Sequence, residues 1–153
     1  MKLANSARVI VFCKEDENNE EITKGLADLF PFALEDNRLK INKTNAEGFS
    51  DKKIEILEVT IRKENLIRQF LGKILQELGK RQIEVLKEQK ESRLDSNLDF
   101  FMRFEKDYWI SQRKLALTDS GKCYHLRISI AAFPKKRENA IKIVDKLLGG
   151  KNV

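Results

Sequence analysis

Three patterns in this chain predict an α+β fold: a single mixed, mostly antiparallel sheet with helices packed on one face. Several segments alternate apolar and polar residues with a period of two, as strands wet on one side do. Others repeat apolar residues at three and four, as helices lying on a sheet do. The 153 residues, 41% of them hydrophobic, suffice for one ordinary core and are too few for two large ones, so residues 1–153 read as one domain. The expected order is β-α-β-β-α-α-β-β-β-α.

Residues 6–13 are dense in β-branched side chains and predict the first strand, with Arg8 on one face. A helix follows from Asn18 or Asn19 to Phe30, where Ile22, Leu26, Leu29 and Phe30 recur at helical spacing and Pro31 ends the pattern. Residues 33–52 are polar and irregular and predict a disordered loop, interrupted by a short edge strand at 38–41. Residues 54–62 predict a strand with Leu57, Val59 and Ile61 on its buried side and Glu58, Thr60 and Arg62 on its wet side. Leu66, Ile67, Phe70, Leu71, Ile74, Leu75 and Leu78 then form one stripe of a strong helix that Gly79 terminates. A second, more charged helix over 82–93 shows Ile83, Leu86 and Leu94 to the core, or serves as a solvated arm or a dimer contact.

The last third is strand-rich. Leu98, Phe100, Met102 and Phe104 alternate with Asp99, Phe101, Arg103 and Glu105, and a further strand is expected near 110–117. Thr118-Asp119-Ser120-Gly121 predicts a hairpin turn with Gly121 available for positive φ. Beyond it, Tyr124, Leu126, Ile128 and Ile130 alternate with His125, Arg127 and Ser129. A final helix is expected from Pro134 to about Leu148, stopped by Gly149-Gly150.

Charge is unevenly placed. The net charge is +6, yet residues 101–153 hold 12 Lys/Arg against 5 Asp/Glu, so the whole excess is C-terminal. An anionic partner is the expectation. Cys13 and Cys123 both fall in strand-like runs, which suits buried thiols in a reducing cytoplasm better than a disulfide framework. The apolar run Val9-Ile10-Val11-Phe12 is far too short for a signal peptide core or a membrane span, so a soluble cytoplasmic protein is expected. The chain has no Gly-rich phosphate loop, no Cys-x-x-Cys and no His-rich spacing, so neither an enzyme nor a cofactor is expected.

Phe133-Pro134-Lys135-Lys136-Arg137-Glu138 is the sharpest local signal. A helix N-terminus is partly positive and favours acids, so three cations there suggest a polyanion at that end, or else long side chains in water. Cations meet acids at two other strand-to-helix junctions, Cys13-Lys14-Glu15 and Arg62-Lys63-Glu64. Parallel strands would gather all three on one sheet edge. The wet faces of the C-terminal strands present Arg103, Arg127, His125 and Ser129, with Phe101 in the same alternation class as Arg103. Lys106, Arg113 and Lys114 flank them beside Tyr108 and Trp109. Cations beside an exposed ring suit single-stranded RNA, whose phosphates they neutralise while its bases stack. Phe101 and Trp109 could instead be packed, and His125 reads as structural.

The succession Met102-Arg103-Phe104-Glu105-Lys106, Leu115-Ala116-Leu117-Thr118-Asp119, Leu126-Arg127-Ile128-Ser129-Ile130 and Phe133-Pro134-Lys135-Lys136-Arg137-Glu138 resembles small archaeal proteins known as RNA-binding proteins or predicted exosome subunits. The resemblance spans nearly the whole chain. It departs from the family pattern at Gly48-Phe49-Ser50-Asp51-Lys52. It implies an α+β layer similar to the large-subunit ribosomal protein that carries five-S RNA, and a binding role. The basic positions it implies are Arg103, Lys106, Arg127, Lys135, Lys136 and Arg137. The expected function is non-catalytic RNA binding, tied to RNA processing or ribosomal RNA. The expected contacts are Arg103, Lys106, Arg113, Lys114, Arg127, Lys135, Lys136 and Arg137. The alternatives are an assembly module that dimerises through residues 64–93 and, more remotely, a metal-dependent nuclease.

Overall fold

β1 (Ala4–Lys14) organises the protein, because it lies in the middle of the only sheet that the described residues form. The structure is a computed structural model and describes residues 2–47 and 52–149. After β1 come α1 (Asn19–Asp28), a short 3-10 turn (Glu35–Asn37), β2 (Asn42–Glu47), β3 (Lys53–Ile61) and α2 (Glu64–Glu88). They are followed by α3 (Lys90–Arg93), β4 (Asp99–Glu105), α4 (Lys106–Gln112), β5 (Cys123–Ile130) and α5 (Arg137–Leu148). The sheet order is β2-β3-β1-β5-β4, and every neighbouring pair is antiparallel. The α+β class, the single sheet and its antiparallel character are as expected.

One face of the sheet is sealed. Ala7, Val9 and Val11 of β1, Leu57 and Val59 of β3, Tyr124, Leu126 and Ile128 of β5, and Phe100, Met102 and Phe104 of β4 are all buried. Ile22 and Leu26 of α1, Phe70 and Ile74 of α2, and Ala140 and Val144 of α5 complete the same core. Each large side chain buried here contributes about 1.5–3 kcal/mol, so this layer outweighs any surface charge pair. The apolar stripe of α2, from Leu66 to Leu78, is taken up by this core.

Gly79 interrupts α2 at φ 77° and ψ 169°, where a side chain would be strained. Gly79 ends the first helical segment as expected, and a second segment follows it directly across a kink. Residues 38–41 are not the edge strand; that strand is β2, further along, and Arg38 instead closes the 3-10 turn in a left-handed conformation. Residues 48–51, where the family pattern was broken, lie outside the described residues, as does Gly150.

The strand expected near 110–117 is also replaced. Glu105 accepts a hydrogen bond from the Tyr108 backbone N–H at 3.1 Å and so caps α4. Lys106, Trp109, Ile110 and Arg113 then recur at helical spacing. Only Leu117 returns to the sheet, as an isolated bridge to Phe104. The 118–121 turn is held by side chains, with Thr118 Oγ1 accepting from Ser120 N–H and Ser120 Oγ from Lys122 N–H. Gly121 is not among the positive-φ residues.

α5 begins at Arg137 rather than Pro134, which lies two residues ahead of the N-cap Lys136. The three junctions do not share an edge either. β1 runs against both β3 and β5, so Lys63 and Lys136 follow strand ends on one side of the sheet and Lys14 ends a strand on the other.

α1 sits close to β5 because Gly25 has no side chain. Tyr124 donates its hydroxyl to the Ile22 carbonyl at 2.9 Å, and Trp109 Nε1 donates to the Gly25 carbonyl at 2.7 Å. A Cβ on Gly25 would overlap the Tyr124 hydroxyl. Gly25→Ala is expected to cost about 1–3 kcal/mol in urea denaturation through overpacking. Adding Tyr124→Phe, which alone costs ~1 kcal/mol for its hydrogen bond, removes the overlapping atom. The double variant is therefore expected to be more stable than the sum of the two single effects allows, whereas strict additivity would place the strain elsewhere.

Candidate nucleic-acid interface

The second face of the sheet has no helix across it, and its side chains fall into rows set by strand register. One row runs Phe101, Arg127, Arg8 and Thr60 across β4, β5, β1 and β3. The next runs Arg103, His125, Ile10, Glu58 and Asn42. Ile56 and Thr44 continue the row of Phe12. None of these is buried, and Phe12, Asn42, Thr44 and Arg103 are exposed.

Phe101 and His125 stack with ring centroids 5.2 Å apart and an interplanar angle of 25°. The Arg127 guanidinium carbon lies 4.9 Å from the centre of the same Phe101 ring. Phe101 is thus held by two neighbours on β5. Arg103 Nη1 donates to the Asp119 carbonyl at 3.2 Å, and Arg93 Nη1 reaches the Phe101 carbonyl at 3.3 Å from the β4 edge. These groups line a pocket of about 580 Å³ together with Gln89 and Ser92.

The arginines are only partly neutralised. Arg8 Nε is 3.4 Å from Glu58, and Arg127 Nε is 3.8 Å from Asp99, distances that make ion pairs. Neither nitrogen makes a hydrogen bond, nor does His125 Nε2, although all three atoms are shielded from solvent. Burial first, then Arg103, Arg127 and Arg8, push the His125 imidazole below its ordinary value. Burial foremost, then Asp95, raises the Asp99 carboxyl, against the pull of Arg127, Lys135 and Arg8.

Several expected contact residues are engaged elsewhere. Lys106 is 2% exposed, and its ammonium donates to the Phe12 carbonyl at 2.7 Å and to both Glu17 oxygens at 3.2 Å. Arg113 forks onto Asp28 at 2.8 and 3.0 Å and donates to the Trp109 and Ile110 carbonyls. Arg137 donates to the Leu94 and Glu91 carbonyls at 2.9 and 2.5 Å and pairs with the Glu91 carboxylate. All three hold the fold together. Lys114, Lys135 and Lys136 are exposed, and Lys114 lies off the sheet. Trp109 is buried; Tyr108 is exposed. Arg8, Arg93 and Phe12 join the face without having been singled out for it. The sequence sets Arg8 on one face of β1, whereas Phe12 lies in the continuous apolar run Val9-Ile10-Val11-Phe12, which carries no sign of its exposure; only the sheet order puts both beside β5.

A family model described as RNA binding matches residues 6–131. The chain belongs to this RNA-binding family. The match takes in the whole open face and stops before Lys135, Lys136 and Arg137. An RNA-binding protein of Pyrococcus abyssi is 27% identical over 150 residues, which are 97% of this chain and 96% of the relative. A solved protein of Archaeoglobus fulgidus, assigned to the family model DUF54, is 26% identical with a TM-score of 0.82, over 94% of this chain and 99% of that one. A DUF54 protein of Methanothermobacter thermautotrophicus shares the fold at 22% identity, with a TM-score of 0.76 over 95% of this chain and 98% of its own. The expected archaeal RNA-binding family is thereby shown.

Two outcomes follow for the family member described here. Lys106→Met strands Glu17 and frees the Phe12 carbonyl, and is expected to destabilise the protein by roughly 3–5 kcal/mol in urea. A destabilisation under about 0.5 kcal/mol, the size of an exposed pair, would return Lys106 to the surface. His125 is expected to titrate by NMR with a midpoint below 6.5. Its neutral form is the native one, so the stability it supplies is present above pH 6.5 and falls as pH drops through the lower folded value.

Proposed function

We propose that the protein is a non-catalytic binder of single-stranded RNA and that the open sheet face is its contact surface. The observation that carries this is the convergence of Arg8, Arg103 and Arg127 on the Phe101–His125 stack, with no helix covering them. Guanidinium groups pair with phosphate oxygens through two parallel bonds, and their partial neutralisation by Glu58 and Asp99 leaves charge for a polyanion. The family description and the name of the Pyrococcus abyssi relative support RNA as that polyanion. Lys135 and Lys136 extend the surface past the end of β5, while Arg137 stays with the fold. Work within an RNA-processing complex is compatible with the same surface; the α2 stripe from Leu66 to Leu78 is buried on the protein's own sheet and so is not free for the alternative, a dimer contact.

Binding of a single-stranded oligonucleotide is expected to weaken as salt rises. Arg8→Ala, Arg103→Ala and Arg127→Ala should each flatten the slope of log K against log salt by about 0.7 for every phosphate that the variant no longer neutralises. Lys135→Ala with Lys136→Ala should flatten it further. Arg113→Ala should lower stability and leave the slope alone. Slopes that ignore the three face arginines would overturn this reading.

A further inference from the structure

We propose that Phe12, rather than Phe101, is the ring on which a base of the RNA stacks, in a second pocket adjoining the arginine pocket. The inference rests on the proposed function. Phe101 is half-buried and already engaged by His125 and Arg127. A base arriving at that ring would compete with both of them. Phe12 is 47% exposed, and no aromatic or cationic group stacks on it among the described residues. A phenylalanine left that open on a sheet face forgoes burial that the core would have supplied.

The surroundings of Phe12 suit a base. Ile10, Phe12 and Ile56 give the pocket an apolar floor, while Glu58, Thr44 and Arg8 supply polar groups at its margin. Its volume is about 520 Å³, within the range of small-ligand sites. Arg103 and His125 line this pocket and the arginine pocket alike. A nucleotide can therefore place its phosphate among Arg103, Arg127 and Arg93 and its base over Phe12, with His125 between the two. The buried Lys106 has a place in this arrangement. Its bond to the Phe12 carbonyl anchors the backbone that presents the ring, making it a positioning residue.

The test compares a single-stranded oligouridine with an oligonucleotide of equal length lacking bases. Phe12→Ala is expected to weaken oligouridine binding by about 5- to 150-fold, the range for removing one stacked base. It should leave the abasic affinity, the salt slope and the melting temperature unchanged, since Phe12 lies outside the core. Phe12→Trp should restore binding. If Phe12→Ala weakens both oligonucleotides equally, or neither, base stacking on Phe12 is wrong while the arginine slopes still stand. If the arginine variants leave the salt slope unaltered, the underlying RNA-binding surface itself fails.

Discussion

Each strand of this sheet has two faces, and the helices are enough to cover only one of them. Along β1, Val9 and Val11 are pressed against α1 and α2, so the pleat sends Arg8, Ile10 and Phe12 to the other side. Shifting the register by one residue would bury Arg8 and expose the valines, at a cost of several kcal/mol. The positions of Arg8 and Phe12 are thus fixed by the packing of residues they never touch. The same holds for Arg127 between Leu126 and Ile128, and for Arg103 between Met102 and Phe104. The proposed binding surface is what the core's alternation leaves over.

The charged residues fall into two populations separated by burial. Lys106, Arg113 and Arg137 have committed their donors to carbonyls and carboxylates of neighbouring elements. Lys106 joins β1, the turn before α1 and the start of α4 in one interior knot. Arg8, Arg103 and Arg127 have acids within ion-pair reach, or a single carbonyl bond, and most of their donors remain for a ligand. Net charge weights both populations equally, but only the second can neutralise a phosphate.

That distinction explains what was legible in the sequence. β-Branched density identified β1, period-two alternation identified β3, β4 and β5, and apolar spacing identified α1, α2 and α5, because each pattern is local to its element. α4 was hidden, since the Ile110–Leu117 run looks strand-like until Glu105 is seen to cap a helix that carries Trp109 to Gly25. The structural roles of Lys106 and Arg113 depend on Glu17 and Asp28, far away in the chain. Arg103 and Arg127 were legible from alternation and proved to be neighbours. Arg8 was legible as lying on one face of its strand but not as their companion, because β1 and β5 are far apart in the chain and no local pattern records which strands pair. Only the order β3-β1-β5 brings it beside them.

The uncovered face, not the helical one, is proposed to meet RNA. Chemical-shift mapping of the labelled protein with a short single-stranded RNA tests it most directly. Shifts are expected to concentrate at Arg8, Phe12, Phe101, Arg103, His125 and Arg127, with the His125 midpoint rising as phosphate offsets the nearby arginines. Shifts confined to the outer surfaces of α1, α2 and α5, with the sheet residues and the His125 titration unmoved, would contradict it.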